Sequence, residues 1–163
     1  PPGRFESIVE KQPFTVIVDY AHTPDGLENV LVTAKEIAAD QKGRLLCLFG
    51  CGGDRDRGKR PKMGRIAEQY SDYFIITEDN PRSESSETIN DDILEGVSEN
   101  CQSYQVIPDR AEAIDIIIRH CNQDDVVVLA GKGHETYQVL STGTVPFDDR
   151  KQARLVLRTL YGN

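Results

Sequence analysis

The sequence predicts a doubly wound α/β fold: a mostly parallel six-stranded sheet with one antiparallel edge strand and helices on both faces. Short, almost wholly apolar runs recur along the chain, and such runs are typical of strands buried on both sides. Segments with helical periodicity alternate with them. The 163 residues, of which 38% are hydrophobic, suit one compact domain. We therefore interpret residues 1–163 as a single domain, with residues 1–12 as a linker and entry segment.

In the first half of the chain, apolar runs and helical periods alternate three times. Thr23 is suited to cap a helix because its hydroxyl can accept a backbone N–H, and Pro24 fits the first helical turn. From Leu27 to Ala38, apolar residues recur at intervals of three or four and form one helix face. The expected elements are strands at residues 15–18, 45–49 and 73–77, and helices that begin at residue 24 and span residues 61–70 and 87–97.

The second half continues this alternation and then adds a hairpin and a closing helix. Asp109 followed by Glu112 resembles a capping box that opens a helix. A turn-forming Ser-Thr-Gly-Thr segment between two apolar stretches predicts the hairpin. The closing helix is expected to turn Leu160 inward with its other apolar residues. The expected elements are a strand at residues 126–130, hairpin strands at 137–140 and 145–147, and a helix at 148–161, an order typical of Rossmann-like sheets.

The overall charge and composition argue against several kinds of partner. The formal net charge of −8 disfavours nucleic acid, because its binders present a basic face to the phosphates. No apolar run approaches the roughly 20 residues that span a bilayer, so we expect no membrane partner. The four cysteines lack the spacing of a metal knuckle, and free thiols of this kind favour the cytoplasm. Because the only methionine is Met63, we expect the chain to be part of a longer protein.

Polar residues follow four of the predicted strands at the point where each one ends. In doubly wound folds, ligands bind beyond the carboxyl ends of the strands. We therefore expect these residues to share one edge of the sheet and to form the functional site. They occupy residues 19–22, 50–61, 78–84 and 131–135.

The loop at residues 50–61 concentrates positive charge in an acidic chain. Arg55, Arg57, Lys59 and Arg60 follow several glycines, which allow a backbone to approach a ligand. The pattern indicates anion binding or, alternatively, a solvated loop whose charges pair with one another. The loop lacks both the third glycine of a dinucleotide-binding fingerprint and the pattern of a phosphate-binding P-loop. An ATP site built on a P-loop would therefore lie outside this chain.

The tetrapeptide Asp79-Asn80-Pro81-Arg82, which we call the DNPR loop, follows the third predicted strand. Pro81 restricts its own backbone and that of Asn80, so that the neighbouring side chains are held in a defined turn. The planar guanidinium of Arg82 can donate two parallel hydrogen bonds to a carboxylate, and an ionised Asp79 can accept from an ammonium. The loop is thus suited to the head of an amino acid. The alternative is a simple turn in which Asp79 caps the next helix and Arg82 pairs with a following glutamate.

The three histidines show no metal-binding pattern. His134 is followed directly by Glu135, and no second histidine stands four residues away. His22 and His134 are as consistent with hydrogen-bonded structural roles as with functional ones, whereas His120, on a helix flank, is expected to be structural. We therefore predict no metal ligands and assign no catalytic residue.

Five motifs, taken in order, resemble the C-terminal domain of the Mur ligases, which are ATP-dependent amide ligases of peptidoglycan synthesis. They are GRFE at residues 3–6, DYAHTPD at 19–25, FGCGGDRDRGKRP at 49–61, EDNPRSE at 78–84 and AGKGHETYQ at 130–138. Within that family the DNPR tetrapeptide marks members that add meso-diaminopimelate to UDP-N-acetylmuramoyl-L-alanyl-D-glutamate. The resemblance covers essentially the whole chain.

The resemblance implies a three-domain enzyme of which this chain is the last domain. ATP and Mg²⁺ would be held mainly by the central domain and the UDP-sugar by the first, so this domain alone would bind no cofactor and would not catalyse. In the family, the amine of the incoming amino acid attacks an acyl phosphate formed on the D-glutamyl carboxylate. Diaminopimelate carries a carboxylate that lysine lacks, and the guanidinium of Arg82 would be its partner.

By matching motif positions, the resemblance assigns two groups of residues. Those that would bind meso-diaminopimelate are Arg55, Asp79, Asn80, Arg82, Gly131 and Glu135. Those that would approach the nucleotide when the domain closes are Arg4, Asp19, Tyr20 and His22. Lys132 and His134 lie in the motifs without a firm role. Two other functions stay open here: a non-catalytic small-molecule sensor or interaction module, and another amide ligase of the superfamily, such as a folylpolyglutamate synthetase.

Overall fold

The computed structural model describes residues 2–162, which form a six-stranded sheet, a separate hairpin and five helices. In chain order the elements are β1 Glu6–Ile8, β2 Thr15–Asp19, α1 Pro24–Gln41, β3 Leu45–Phe49, α2 Lys59–Tyr70, β4 Tyr73–Ile76, α3 Ser86–Leu94, β5 Tyr104–Val106, α4 Arg110–His120, β6 Val126–Ala130, β7 Tyr137–Leu140, β8 Gly143–Pro146 and α5 Asp149–Tyr161.

The sheet confirms the predicted fold class. Its strand order is β1-β2-β6-β3-β4-β5, in which five strands are parallel and β1 runs antiparallel at one edge. Alternate residues of each strand face opposite sides of the sheet, so that Cys47 and Phe49 enter one core cluster while Leu46 and Leu48 enter the other. Helices α1, α2 and α3 pack on the first cluster, and α4 and α5 pack on the second.

Helix starts that the sequence predicted are present with their caps. The hydroxyl of Thr23 accepts a hydrogen bond from the backbone N–H of Gly26, and Pro24 stands in the first turn of α1. The carboxylate of Asp109 accepts from the backbone N–H of Glu112 at 3.3 Å, which confirms the acceptor half of the capping box. Predicted boundaries differ by a few residues: α2 begins at residue 59 rather than 61, and α3 ends at residue 94 rather than 97.

Several elements differ from the sequence-based expectation. Strand β1 lies within residues 1–12, which the sequence predicts to be a linker. The alternation of strands and helices predicts a strand at β5 but does not fix where it begins and ends. Both strands have three residues, so they carry little apolar signal. The hairpin β7–β8 forms its own two-stranded sheet, with a turn shorter than predicted. The inward orientation predicted for Leu160 is wrong, because this side chain is exposed near the end of α5.

All four cysteines are free thiols, and Cys47, Cys51 and Cys121 are buried. Burial raises the pKa of the Cys47 and Cys51 thiols to about 12, so neither forms a reactive thiolate at neutral pH. They act as small core residues, as the sequence predicted. Over residues 2–162, no helix combines the length and apolarity that a membrane crossing requires.

Candidate functional site

A cavity of about 460 Å³ opens at the edge of the sheet where the parallel strands end. Strands β2, β6, β3 and β4 are neighbours, so the loops that follow them meet at this edge. All six residues predicted to bind diaminopimelate line the cavity, namely Arg55, Asp79, Asn80, Arg82, Gly131 and Glu135. Their roles in binding stay a prediction, but the structure brings them together from three loops.

Charges of both signs line this cavity. The cations are Arg55, Lys59 and Arg82, and the carboxylates are Asp56, Asp79 and Glu135. Guanidinium and ammonium groups can only donate hydrogen bonds, whereas carboxylates can only accept them while ionised. The combination therefore suits a small ligand that carries both carboxylate and ammonium groups.

Strand β7 braces the DNPR loop through three hydrogen bonds. The side-chain amide of Gln138 donates to the carbonyl of Asp79 at 2.9 Å, and the backbone N–H of Val139 donates to Asn80 Oδ1 at 3.0 Å. In return, the backbone N–H of Arg82 donates to the carbonyl of Val139 at 3.0 Å. The loop is thus held by the hairpin as well as by its own proline.

Lys132 is completely buried beneath the same loop. Its Nζ donates to Asn80 Oδ1 at 2.9 Å and to the carbonyl of Tyr137 at 3.0 Å, and lies 3.6 Å from Asp79 Oδ1. Burial lowers the pKa of the Lys132 ammonium, and the negative charge of Asp79 opposes this shift. Within residues 2–162, Asp79 Oδ1 is buried and has no hydrogen-bond partner.

The guanidinium of Arg82 is only partly used by the fold. Its Nη1 donates to the carbonyls of Gly53 at 2.9 Å and Asn80 at 3.3 Å, whereas its Nε and Nη2 make no hydrogen bond within residues 2–162. The alternative of a simple turn is wrong on both counts. Glu84 pairs with Arg60 rather than Arg82, and the cap of α3 is Ser85 rather than Asp79.

The loop at residues 50–61 divides its positive charges between the fold and the cavity. Arg57 pairs with Asp92 at 2.9 Å, and the buried Arg60 pairs with Glu84 at 2.7 Å and Asp92 at 3.0 Å. The alternative of a solvated loop whose charges pair with one another is wrong for these two arginines, because their partners lie outside the loop and Arg60 is buried. Arg55 pairs with no carboxylate over the described residues and donates to the backbone carbonyl of residue 54.

Arg110 is hydrogen-bonded to the backbone at the start of two loops that line the cavity. It is fully buried with Asp149, and the two side chains share hydrogen bonds at 2.7 and 2.8 Å. Its Nη1 and Nη2 also donate to the carbonyls of Glu78 at 3.0 Å and Ala130 at 3.1 Å, which directly precede Asp79 and Gly131. Arg110 could not be identified from the sequence, because no local pattern indicates a buried arginine.

Gly131 turns the chain sharply after β6. Its φ of +116° lies in a region that residues with a Cβ rarely adopt. A Cβ at this position would lie 3.8 Å from Asp79 Oδ1. The glycine therefore allows the turn and keeps space beside the unpartnered carboxylate oxygen.

Three of the four predicted nucleotide-proximal residues form a cluster at the rim of the cavity. The guanidinium of Arg4 lies 5.8 Å from the ring centre of Tyr20. The distance between ring centres is 4.6 Å for Tyr20 and His22, and 5.5 Å for Tyr20 and His134. Asp19 is used differently, since its carboxylate accepts two backbone N–H groups at 2.7 and 2.8 Å. Burial raises the pKa of Tyr20, which keeps its hydroxyl protonated at neutral pH.

No group of three or more His, Cys, Asp or Glu side chains in residues 2–162 is arranged to hold a metal ion.

Comparison with known proteins gives a consistent result. The family model described as Mur ligase, glutamate ligase domain, matches residues 3–133. A UDP-N-acetylmuramoyl-L-alanyl-D-glutamate–2,6-diaminopimelate ligase from Syntrophomonas wolfei is 54% identical over 158 residues, which cover 96% of this chain and 32% of the relative. A protein of the same name from Bacillus cereus is 52% identical over 153 residues, covering 94% of this chain and 30% of the relative.

Solved structures show the same similarity. A structure of a ligase with that name superposes with a TM-score of 0.88 at 39% identity, covering 99% of this chain and 32% of the other. A folylpolyglutamate synthase/dihydrofolate synthase from Yersinia pestis has a TM-score of 0.58 at 17% identity, covering 99% and 31%, and so shares the fold. The chain spans about a third of the length of the curated relatives it matches.

Proposed function

This chain belongs to the Mur ligase family, as its glutamate ligase domain, and we propose that it binds the incoming amino acid in a meso-diaminopimelate-adding enzyme. The reaction would be the ATP-dependent addition of meso-diaminopimelate to UDP-N-acetylmuramoyl-L-alanyl-D-glutamate. The observation that carries the proposal is the cavity, in which residues from four strand ends surround one space with charges of both signs.

Arg82 would decide which amino acid is accepted. Its Nε and Nη2 are not used by the described part of the fold, so they can donate to the carboxylate that diaminopimelate carries at its far end. Lysine has no such carboxylate and would leave these donors unpaired in the cavity, at a cost of about 1–3 kcal/mol. Asp79 and Glu135 would accept from the ammonium groups, with Arg55, Asn80 and Gly131 completing the wall.

Other domains of the longer enzyme would supply the nucleotide. ATP and Mg²⁺ would be held mainly by a central domain, with Arg4, Tyr20 and His22 approaching the nucleotide as this domain closes. Asp19 would act by anchoring the backbone beside them. Closure would place the amine next to the acyl phosphate, so this domain would contribute through positioning rather than through a dedicated acid or base. A UDP-linked substrate, ATP and four free thiols are consistent with action in the cytoplasm.

The experiment is an assay of the full-length protein that contains this chain. With ATP, magnesium and UDP-N-acetylmuramoyl-L-alanyl-D-glutamate present, we expect ADP release and a new amide with meso-diaminopimelate, and a kcat/KM about 10- to 100-fold lower with lysine. Equal use of lysine would contradict the proposed specificity. Amide formation by residues 1–163 alone would contradict the division of labour between the domains.

A further inference from the structure

Lys132 is a buried cation to which the proposed function gives no role. It has no exposed surface and does not line the cavity, so it does not touch a ligand there. Removing an ammonium group from water is costly unless charged and polar partners replace the water. An apolar side chain at this position would avoid the cost, so the contacts of the lysine must offset it.

The neighbours of Lys132 belong to the wall of the cavity. Two neutral oxygens, of Asn80 and Tyr137, accept its hydrogen bonds at 2.9 and 3.0 Å. The nearest carboxylate is that of Asp79, whose Oδ1 lies 3.6 Å from Nζ. This distance allows charge attraction but is too long for a hydrogen bond, so Asp79 Oδ1 keeps its capacity to accept.

Lys132 also fixes the orientation of the Asn80 amide. An ammonium can only donate, and so can the backbone N–H of Val139, which is the second group that contacts Asn80 Oδ1. The amide oxygen must therefore face Lys132 and the hairpin. The Asn80 Nδ2 group has no acceptor within residues 2–162, and it is left as a donor for the cavity that Asn80 lines.

We propose that Lys132 is a positioning residue, an internal counter-ion that holds Asp79 as an acceptor and Asn80 as a donor for the bound amino acid. This inference rests on the proposed function of the cavity. It makes the lysine responsible for the pattern of donors and acceptors that the ligand meets, without contact between the lysine and the ligand.

The first test is Lys132→Met in the full-length protein, which keeps the length of the side chain and removes its charge. We expect KM for meso-diaminopimelate to rise about tenfold or more. The DNPR loop loses the positive charge next to Asp79, and the Asn80 amide loses one of the two donors that orient it. KM for ATP should stay within about twofold, since the altered groups do not belong to the nucleotide cluster. Ile117→Ala, on the buried face of α4, is the matched control: it should lower the melting temperature while leaving both KM values unchanged.

The second test is a double-mutant cycle of Lys132→Met with Asp79→Asn, read as melting temperature. Lys132→Met leaves the Asp79 carboxylate without its nearby positive charge. The added Asp79→Asn should therefore recover part of the lost stability, so that the effects of the two substitutions are not additive. If Lys132→Met does not fold, recovery of folding in the double variant supports the pairing, and failure to recover overturns it.

Three outcomes overturn the inference: an unchanged KM for diaminopimelate, a parallel rise of both KM values, or additive losses of stability. If the wild-type enzyme does not use diaminopimelate at all, the proposed function fails instead. The stability cycle then still tests the pairing of Lys132 with Asp79.

Discussion

Two loops flank the cavity, and they divide their charged residues differently between the fold and the cavity. In the loop at residues 50–61, Arg57 and Arg60 are paired with carboxylates of the fold. Within residues 2–162, Asp79 Oδ1 of the DNPR loop has no hydrogen-bond partner, and Arg82 keeps donors that the fold does not use. The sequence shows more charge in the first loop. The comparison shows that the number of charged residues in a loop does not indicate which of them the fold leaves available to the cavity.

The largest effect that would test this contrast is expected from Arg60→Met. Arg60 is fully buried, and its loss would leave the carboxylates of Glu84 and Asp92 without their shared cation. We expect the free energy of unfolding to fall by about 3–5 kcal/mol in urea denaturation. Arg57→Met serves as the control on the same loop. A loss below about 1 kcal/mol would mean that the fold does not depend on the charges of this loop.

The next effect is expected from Arg82→Ala, and it should appear in catalysis rather than in stability. In the full-length enzyme, kcat/KM for meso-diaminopimelate should fall about 100-fold, because the distal carboxylate loses a two-donor partner. KM for ATP should change less than about twofold. Arg82→Lys is the matched variant, since it keeps the charge and removes the planar fork. An unchanged preference for diaminopimelate over lysine would contradict the role of Arg82.

A smaller effect, dependent on pH, is expected from Glu84→Gln. Hydrogen bonds from Arg60 hold the pKa of Glu84 at about 2, below its ordinary value of 4.5. A lowered pKa means that the ionised form stabilises the fold above the ordinary pKa, and that this contribution is lost as the pH falls toward 2. The variant should be less stable than the wild type by about 2 kcal/mol at pH 7.

The measurement for Glu84→Gln is the free energy of unfolding between pH 7 and pH 2. The difference between the two proteins should shrink below about pH 4.5 and nearly vanish at the acid end. A difference that is constant over this range would show that the ion pair with Arg60 does not explain the effect.

The smallest effect is expected from Arg57→Ala. The side chain of Arg57 is 62% exposed, and Asp92 keeps its second partner, Arg60. Exposed pairs of this kind contribute less than about 1 kcal/mol, and salt screens them. Urea denaturation should show a small loss that disappears at about 1 M salt. A larger loss of the free energy of unfolding that salt does not change would show that Arg57, like Arg60, is needed for the stability of the fold.

The fold could be predicted because its main signals are local. The long central strands are continuous apolar runs, and Thr23 and Asp109 cap helices with groups only three residues away. Strands β1 and β5 could not be bounded, because three-residue edge strands depend on a neighbouring strand rather than on their own pattern. The helical period alone predicts an inward Leu160, but this side chain is exposed near the C-terminal end of α5.

The position of the site could be predicted for a similar reason, since the ends of parallel strands share one edge. The buried cations behind it could not be predicted. Charged residues are almost always exposed, and the partners that bury Arg60, Arg110 and Lys132 lie 24, 39 and 52 residues away in the chain. The sequence therefore indicates which residues surround the cavity, but not which charged residues hold them in place.

The hairpin β7–β8 has a consequence for how substrate preference can change over evolution. It pairs with no strand of the large sheet, yet it holds the DNPR loop through Gln138 and Val139. The loop and the hairpin are therefore one structural unit, although more than 50 residues separate them in the chain. Exchange of the hairpin alone between related proteins would remove the hydrogen bond from Gln138 to the Asp79 carbonyl wherever the new hairpin lacks a side-chain donor there, whereas Val139 contributes only backbone groups. Substrate preference should accordingly change when the two segments are exchanged together, with the central strands unchanged.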